Sequence, residues 1–277
     1  MRLRTDIGEK GHQAMQGWTR VTDVSPYALC AIIGAEDPAF FHHHGIWWGQ
    51  LAIQMYVAAF RGGRIRAVST ITQQLARNLY LHEGRSVTRK LLEMVLARRL
   101  EMVLEKPRIL ELYVNVVEWG PGVWGIAPAA RTYFDSTAEA LNPFQAVVLA
   151  SLLPAPRSPL AGNNLARALA SQRSLLHFLY GAGVMSLPEW RETADRLSQL
   201  GEALRAGKTT AHVLRDLGKR PYARPASGGG SPTPVELLES ECGHQLRVAY
   251  TALLYGALPR QVWTRKLPYR WTGTLAE

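Results

Sequence analysis

The sequence predicts a mainly α-helical fold. Apolar residues recur at helical spacing in the segments 25–36 and 86–105, and no run shows the strict alternation of a half-buried strand. With 277 residues and 47% hydrophobic side chains, the chain can bury a sizeable core.

The first helix is expected from Ser25 to Glu36. Ser25 is a capping residue, Pro26 suits the first helical position, Leu29, Ile32 and Ile33 form the apolar face, and Pro38 stops the run. Residues 46–60 are almost entirely apolar and end in the basic run RGGRIR. They are too short to span a bilayer, which leaves a buried core helix or an amphipathic element at a membrane surface with Trp47 and Trp48 at the interface. In 86–105, Leu92, Val95, Leu96, Arg99 and Val103 follow helical periodicity. A helix over ILELYVN follows Pro107, and the glycine-rich turn WGPGVWG precedes another over APAARTYF. Further helices are expected over NPFQAVVLASLL, LARALASQRSLLHFLYGAG and PEWRETADRLSQLGEALRAG. The composition changes at 223–234, ARPASGGGSPTP, which reads as a flexible linker.

A formal charge of +10 points to an anionic partner without choosing among nucleic acid, membrane surface and phosphorylated substrate. No nucleic-acid motif accompanies it, so no nucleic-acid partner is expected. Cys30 and Cys242 lack metal-ligand spacing, and Cys30 in the apolar run ALCAII reads as a buried free thiol. The N-terminal residues are polar and charged, without the apolar length of a signal peptide or membrane span.

Three blocks carry the chemistry. The first is EDPAFFHHHG, with Glu36, Asp37, Phe40, His43 and Gly45; the second is STITQQLARN, from Ser69 to Asn78; the third is RKLLE, with Arg89, Lys90 and Glu93. Taken alone, Glu36 reads as a helix-end carboxylate, and Arg89, Lys90 and Glu93 as a surface ladder at helical spacing. Together and in this order, the blocks resemble the peptidoglycan glycosyltransferases that polymerise bacterial cell-wall glycan. The resemblance covers roughly residues 20–195.

The resemblance implies a lysozyme-like helical glycosyltransferase domain, with a small membrane-contacting jaw formed by the apolar stretch at 46–60. It implies polymerisation of lipid II onto a growing lipid-linked glycan, with release of undecaprenyl diphosphate, at the periplasmic face of the inner membrane. Monofunctional members usually begin with a transmembrane helix, so the chain is expected either to be N-terminally incomplete or to hold the membrane by other means. By the same resemblance, Glu36 is the general base and Glu93 organises the diphosphate or a divalent ion, magnesium or manganese. Asp37, Phe40, His43, Ser69, Thr70, Gln73, Gln74, Arg77, Asn78, Arg85, Arg89, Lys90, Tyr113 and Asn115 are the candidate substrate-binding and cleft-supporting residues. Two departures stand out: Arg77 replaces the family's lysine, and Ala67 replaces a glycine two residues before Ser69.

The organisation expected is a polar segment over 1–19, a glycosyltransferase domain over 20–195, a helical extension over 196–222, the linker, and a tail over 235–277 of unassigned role. The roughly 80 residues after 195 contain no S-x-x-K nucleophile, so no transpeptidase is expected. Other cell-wall synthesis proteins are candidate partners. Two rival readings are a lysozyme-like hydrolase, which has no need of the cationic cluster Arg77, Arg85, Arg89 and Lys90, and a catalytically weak lipid II-binding protein.

Overall fold

The computed structural model describes residues 17–61, 69–81, 84, 86–158 and 160–222. The expectations for residues 1–16, for Ala67 and Arg85, and for the linker and tail from 223 onward lie outside these residues.

Helix α1, Pro26–Glu36, forms the axle of the core. Ala28 through Ile33 are all buried, because the helix is apolar around its whole circumference and is enclosed on every side. It packs along α7, Pro143–Leu152, itself buried at nearly every position, and against α8, Gly162–Gly181. Pro26 occupies the first turn as expected, but Ser25 does not cap: its hydroxyl donates to the Leu141 carbonyl instead. Cys30 is buried as expected, yet it is disulfide-bonded rather than a free thiol. An apolar setting suits either state, so local sequence could not separate them.

Helices α3, Ile71–Tyr80, α4, Val87–Val103, and α5, Lys106–Val116, pack on one another at the end of α1 that carries Glu36. Between α5 and α6, Ile126–Phe134, the glycine-rich stretch folds into an antiparallel hairpin of β1, Glu118–Gly120, and β2, Val123–Trp124. Strands this short leave no alternation to detect in sequence.

The C-terminal helices α9, Leu187–Arg205, and α10, Thr210–Lys219, close the other side against α8 and α6. The boundary expected at 195 falls inside α9. Arg196 is buried there, donating to the carbonyls of Leu217 and Pro221 and stacking on Tyr222. Tyr27 of α1 donates to Glu189 of α9 at 2.5 Å, tying the axle to this layer.

Helix α2, Trp48–Arg61, has no extended packing partner among the described elements. Trp48, Met55, Tyr56 and Phe60 are exposed, which overturns the buried-helix reading of this stretch. Among the described residues, no helix is long and apolar enough to cross a membrane.

Candidate active site

Glu36 is the last residue of α1, where the following Asp37-Pro38 pair ends the helix and leaves the carboxylate at its tip. Its Oε2 accepts from Nε2 of Gln74 at 2.6 Å, while Oε1 is buried without a hydrogen-bond partner. Burial raises the Glu36 carboxyl above the usual carboxylate range, and Asp37 pushes the same way; the Gln74 hydrogen bond and the charge of Arg77 oppose them. The Gln74 amide is itself fixed, since its Oε1 accepts from the Tyr113 hydroxyl at 3.1 Å. Burial raises the Tyr113 phenol well above its ordinary value, so it stays protonated and remains a donor.

The N-terminus of α3 is locked onto this corner by polar contacts that the sequence encodes within one block. Thr70 and Gln73 form a reciprocal capping box. The Thr70 hydroxyl also donates to the Gly45 carbonyl at 2.7 Å, and the Ile71 N–H donates to Asp37 at 3.0 Å. His43 Nδ1 accepts from the Gly45 N–H, so Nε2 is the ring donor to the Asp37 carboxylate, at 2.9 Å. Asp37 and His43 are therefore engaged with each other and with the backbone. Gly45 has φ +86°, and a Cβ there would stand 2.9 Å from the Ala97 carbonyl oxygen. Only glycine lets this loop lie against α4, the helix that carries Glu93.

Glu93 is almost wholly buried, its side chain 1% exposed, and accepts from Lys90 Nζ at 2.5 Å. Lys90 also donates to the Ser69 hydroxyl at 2.6 Å, and the Ser69 carbonyl accepts from Gln74 at 3.3 Å. Ser69 thus joins the two glutamates through one continuous set of hydrogen bonds. Arg89, half-buried on the turn that carries Lys90, has an Nε that is buried and unpartnered. Arg77 and Asn78 are half-buried on α3, Arg77 near enough to act on Glu36.

The structure therefore brings Glu36, Ser69, Gln74, Arg77, Lys90, Glu93 and Tyr113 into one region. Phe40 is buried beneath it, with Lys106 Nζ 4.5 Å from its ring centre. Asn115 points elsewhere, bonding to the backbone of Thr19 and to the Glu111 carbonyl. Sequence reasoning missed the bracket at Glu101, which accepts from Thr72 and Lys106, each at 2.6 Å. Thr72 sits inside the STITQQ block, but nothing local names a partner 29 positions away.

Chemically, the arrangement offers a carboxylate with one unpartnered oxygen and a raised pKa beside cationic groups able to face an anion. Glu93 on its own does not make a metal cage. Its Oε1 is taken by Lys90, and among the described residues no group of three or more His, Cys, Asp or Glu could hold an ion.

Comparison with known proteins gives this arrangement its family. The transglycosylase family model matches residues 4–179. The biosynthetic peptidoglycan transglycosylase of Brucella suis is 38% identical over 183 residues, covering 65% of this chain and 80% of that protein. Proteins of the same name from Salmonella arizonae (42% over 151 residues) and Alcanivorax borkumensis (41% over 148) match 54% and 53% of this chain, and 62% and 60% of their own lengths. The chain belongs to the transglycosylase family.

Proposed function

We propose that this chain is a peptidoglycan glycosyltransferase that polymerises lipid II into β-1,4-linked glycan for the bacterial cell wall. One observation carries the reading: a carboxylate with a buried, unpartnered oxygen shares a hydrogen-bonded network with the Lys90–Glu93 pair, in a chain of this family.

Glu36 Oε1 takes the proton of the acceptor's GlcNAc 4-hydroxyl, and the hydroxyl oxygen attacks the anomeric carbon of the donor MurNAc. The bond from that carbon to the diphosphate oxygen breaks as the new bond forms, so the α-linked donor becomes a β-1,4 linkage. Undecaprenyl diphosphate leaves with the electron pair. A base held above the usual carboxylate range is matched to this proton, and positioned base catalysis contributes roughly 10²–10⁴-fold. Lys90, Arg89 and Arg77 provide the positive charge that the departing diphosphate needs.

In this reading Asp37, His43, Thr70 and Gln73 hold the base's surroundings in register, and Tyr113 orients Gln74. Phe40 and Asn115 brace the elements behind the site. Glu93 is the residue that would hold a divalent ion, which would supply further positive charge for the departing diphosphate; no step is assigned to it. The location that follows is the cell envelope; the periplasmic face of the inner membrane, with the exposed side of α2 against lipid, is the finer proposal.

The test is polymerisation of labelled lipid II in detergent by the wild type, Glu36→Gln and Glu93→Gln, with and without manganese. Polymer from the wild type alone is expected. A folded wild type that binds lipid II without turning it over would instead establish the weak-binder reading, and soluble fragments released from finished cell wall would establish the hydrolase.

A further inference from the structure

The chain contains two cysteines, Cys30 and Cys242, and Cys30 is disulfide-bonded. Cys30 lies midway along α1, 4% exposed, among residues that are themselves buried. A second copy of the chain could not bring a sulfur to this position without opening the core. The partner therefore comes from the same chain, and Cys242 is the one other cysteine in it.

The described part of the chain ends where such a bond needs it. Tyr222 stacks on Arg196, shares a hydrogen bond with the Thr193 hydroxyl at 2.7 Å, and is hydrogen-bonded to the backbone of Phe144 on α7. It also neighbours α1: burial and then Glu189 raise the Tyr27 phenol above its ordinary value, and Tyr222 is close enough to add to the shift. Tyr27 and Cys30 are three apart on α1 and so share one side of that helix. Tyr222 thus stands by the flank of α1 that carries Cys30. The stretch from Tyr222 to Cys242 can span about 65–70 Å when extended, several times the spacing of packed helices, so reach is no obstacle.

We infer that Cys30 and Cys242 form one intrachain disulfide, which fastens the segment beyond the linker to the flank of α1 and makes it part of the folded domain. Six residues, about 9 Å of helix rise, separate Cys30 from Glu36, so the tether holds the same helix that presents the candidate base. The bond closes most of the chain into one loop, and long loops restrict the unfolded ensemble most.

The bond forms by exchange with a disulfide oxidant. One cysteine thiolate attacks a sulfur of the oxidant and expels the other as a thiolate; the second cysteine thiolate then attacks the mixed disulfide and expels the remaining one. The cysteine pair gives up two protons and two electrons, and the oxidant's disulfide is reduced to two thiols. Such a bond persists in an oxidising envelope compartment and is rare against cytosolic thiols. The inference goes beyond the proposed reaction and does not depend on it.

The experiment uses the full chain, with thiols alkylated before non-reducing electrophoresis, beside Cys242→Ser and a version carrying a specific protease site inserted after Gly228. The wild type should run as a monomer with neither cysteine alkylated until dithiothreitol is added. Cleavage at the inserted site should leave the C-terminal fragment attached in detergent, and dithiothreitol should release it. Cys242→Ser should lower Tm by roughly 5–15 °C. Dithiothreitol should lower the wild-type Tm by the same amount and leave that of Cys242→Ser unchanged, and this reading stands alone where Cys242→Ser fails to fold.

Alkylation of both cysteines in the folded wild type without reductant overturns the inference. So does a disulfide-linked dimer, release of the fragment before reduction, or a Cys242→Ser variant that melts with the wild type. Polymerisation in detergent is measured in parallel: a linked chain that never polymerises leaves the disulfide standing and removes the glycosyltransferase reading.

Discussion

Gln74 donates from Nε2 to the Glu36 carboxylate at 2.6 Å, and the other end of the same amide is held by the Tyr113 hydroxyl. The amide is the largest influence lowering a carboxyl that burial raises. Gln74→Leu should therefore shift the acid limb of kcat/KM to higher pH, because Glu36 then keeps its proton longer. A pH series of lipid II polymerisation reads the shift. An unchanged limb would separate Glu36 from the titration that controls rate.

Tyr113→Phe removes the donor that orients this amide while keeping the packing of the ring. It should cost about 0.5–1.5 kcal/mol of stability. It should also lower kcat more than it raises KM, as Gln74 loses its single orientation. Steady-state kinetics beside a denaturant titration separate the two effects.

Glu36 has a stability signature of its own. Its folded pKa is raised, so its protonated form favours the fold below the unfolded carboxylate pKa, and that advantage is lost as pH rises through the folded value. Glu36→Gln should accordingly melt above the wild type at pH 8, with the difference fading near pH 4, even as polymerisation is abolished. Thermal melts at the two pH values check this, and a destabilised variant at pH 8 would contradict the burial argument.

Lys90 and Glu93 should show strong coupling. Lys90→Met leaves a buried carboxylate without its ammonium, and about 2–4 kcal/mol of destabilisation is expected, discounted from a fully buried pair because Lys90 is partly exposed. Adding Glu93→Gln should restore part of that loss. A double-mutant cycle by chemical denaturation gives the coupling energy.

The C-terminal helices should prove necessary for folding. A chain ending at residue 195 stops inside α9 and loses the Arg196 contacts, so it should be insoluble or proteolytically labile by expression and limited proteolysis beside the full chain. Gly218→Ala is a milder probe. Its Cβ would meet Gln145 Nε2 at 2.9 Å and Phe134 Cδ1 at 3.0 Å, and a cost of about 1–3 kcal/mol is expected.

The sequence revealed elements bounded by strong punctuation and hid whatever depended on distant partners. Pro26 and Pro38 bracket α1, and Pro107 and Pro143 open α5 and α7, so those helices stood out at first reading. Ser25 looked like a cap and is not one, because Leu141, 116 positions away, competes for its hydroxyl. The periodicity of α4 correctly gave a helix, but periodicity states that a face is apolar, not what covers it. At the candidate site, the motifs singled out Glu36 and Glu93 as the carboxylates to follow. They could not show that His43 is spent on Asp37 or that Ser69 lies between the glutamates, because those are facts of packing across loops.

That position of Ser69 has a consequence for how the site can change. Its carbonyl lies on the Glu36–Gln74 side and its hydroxyl on the Lys90–Glu93 side. Under the proposed reaction, any movement of the start of α3 disturbs deprotonation of the acceptor and departure of the diphosphate in the same instant. Substitutions nearby should then trade pH optimum and turnover together, so that selection for one property drags the other along with it.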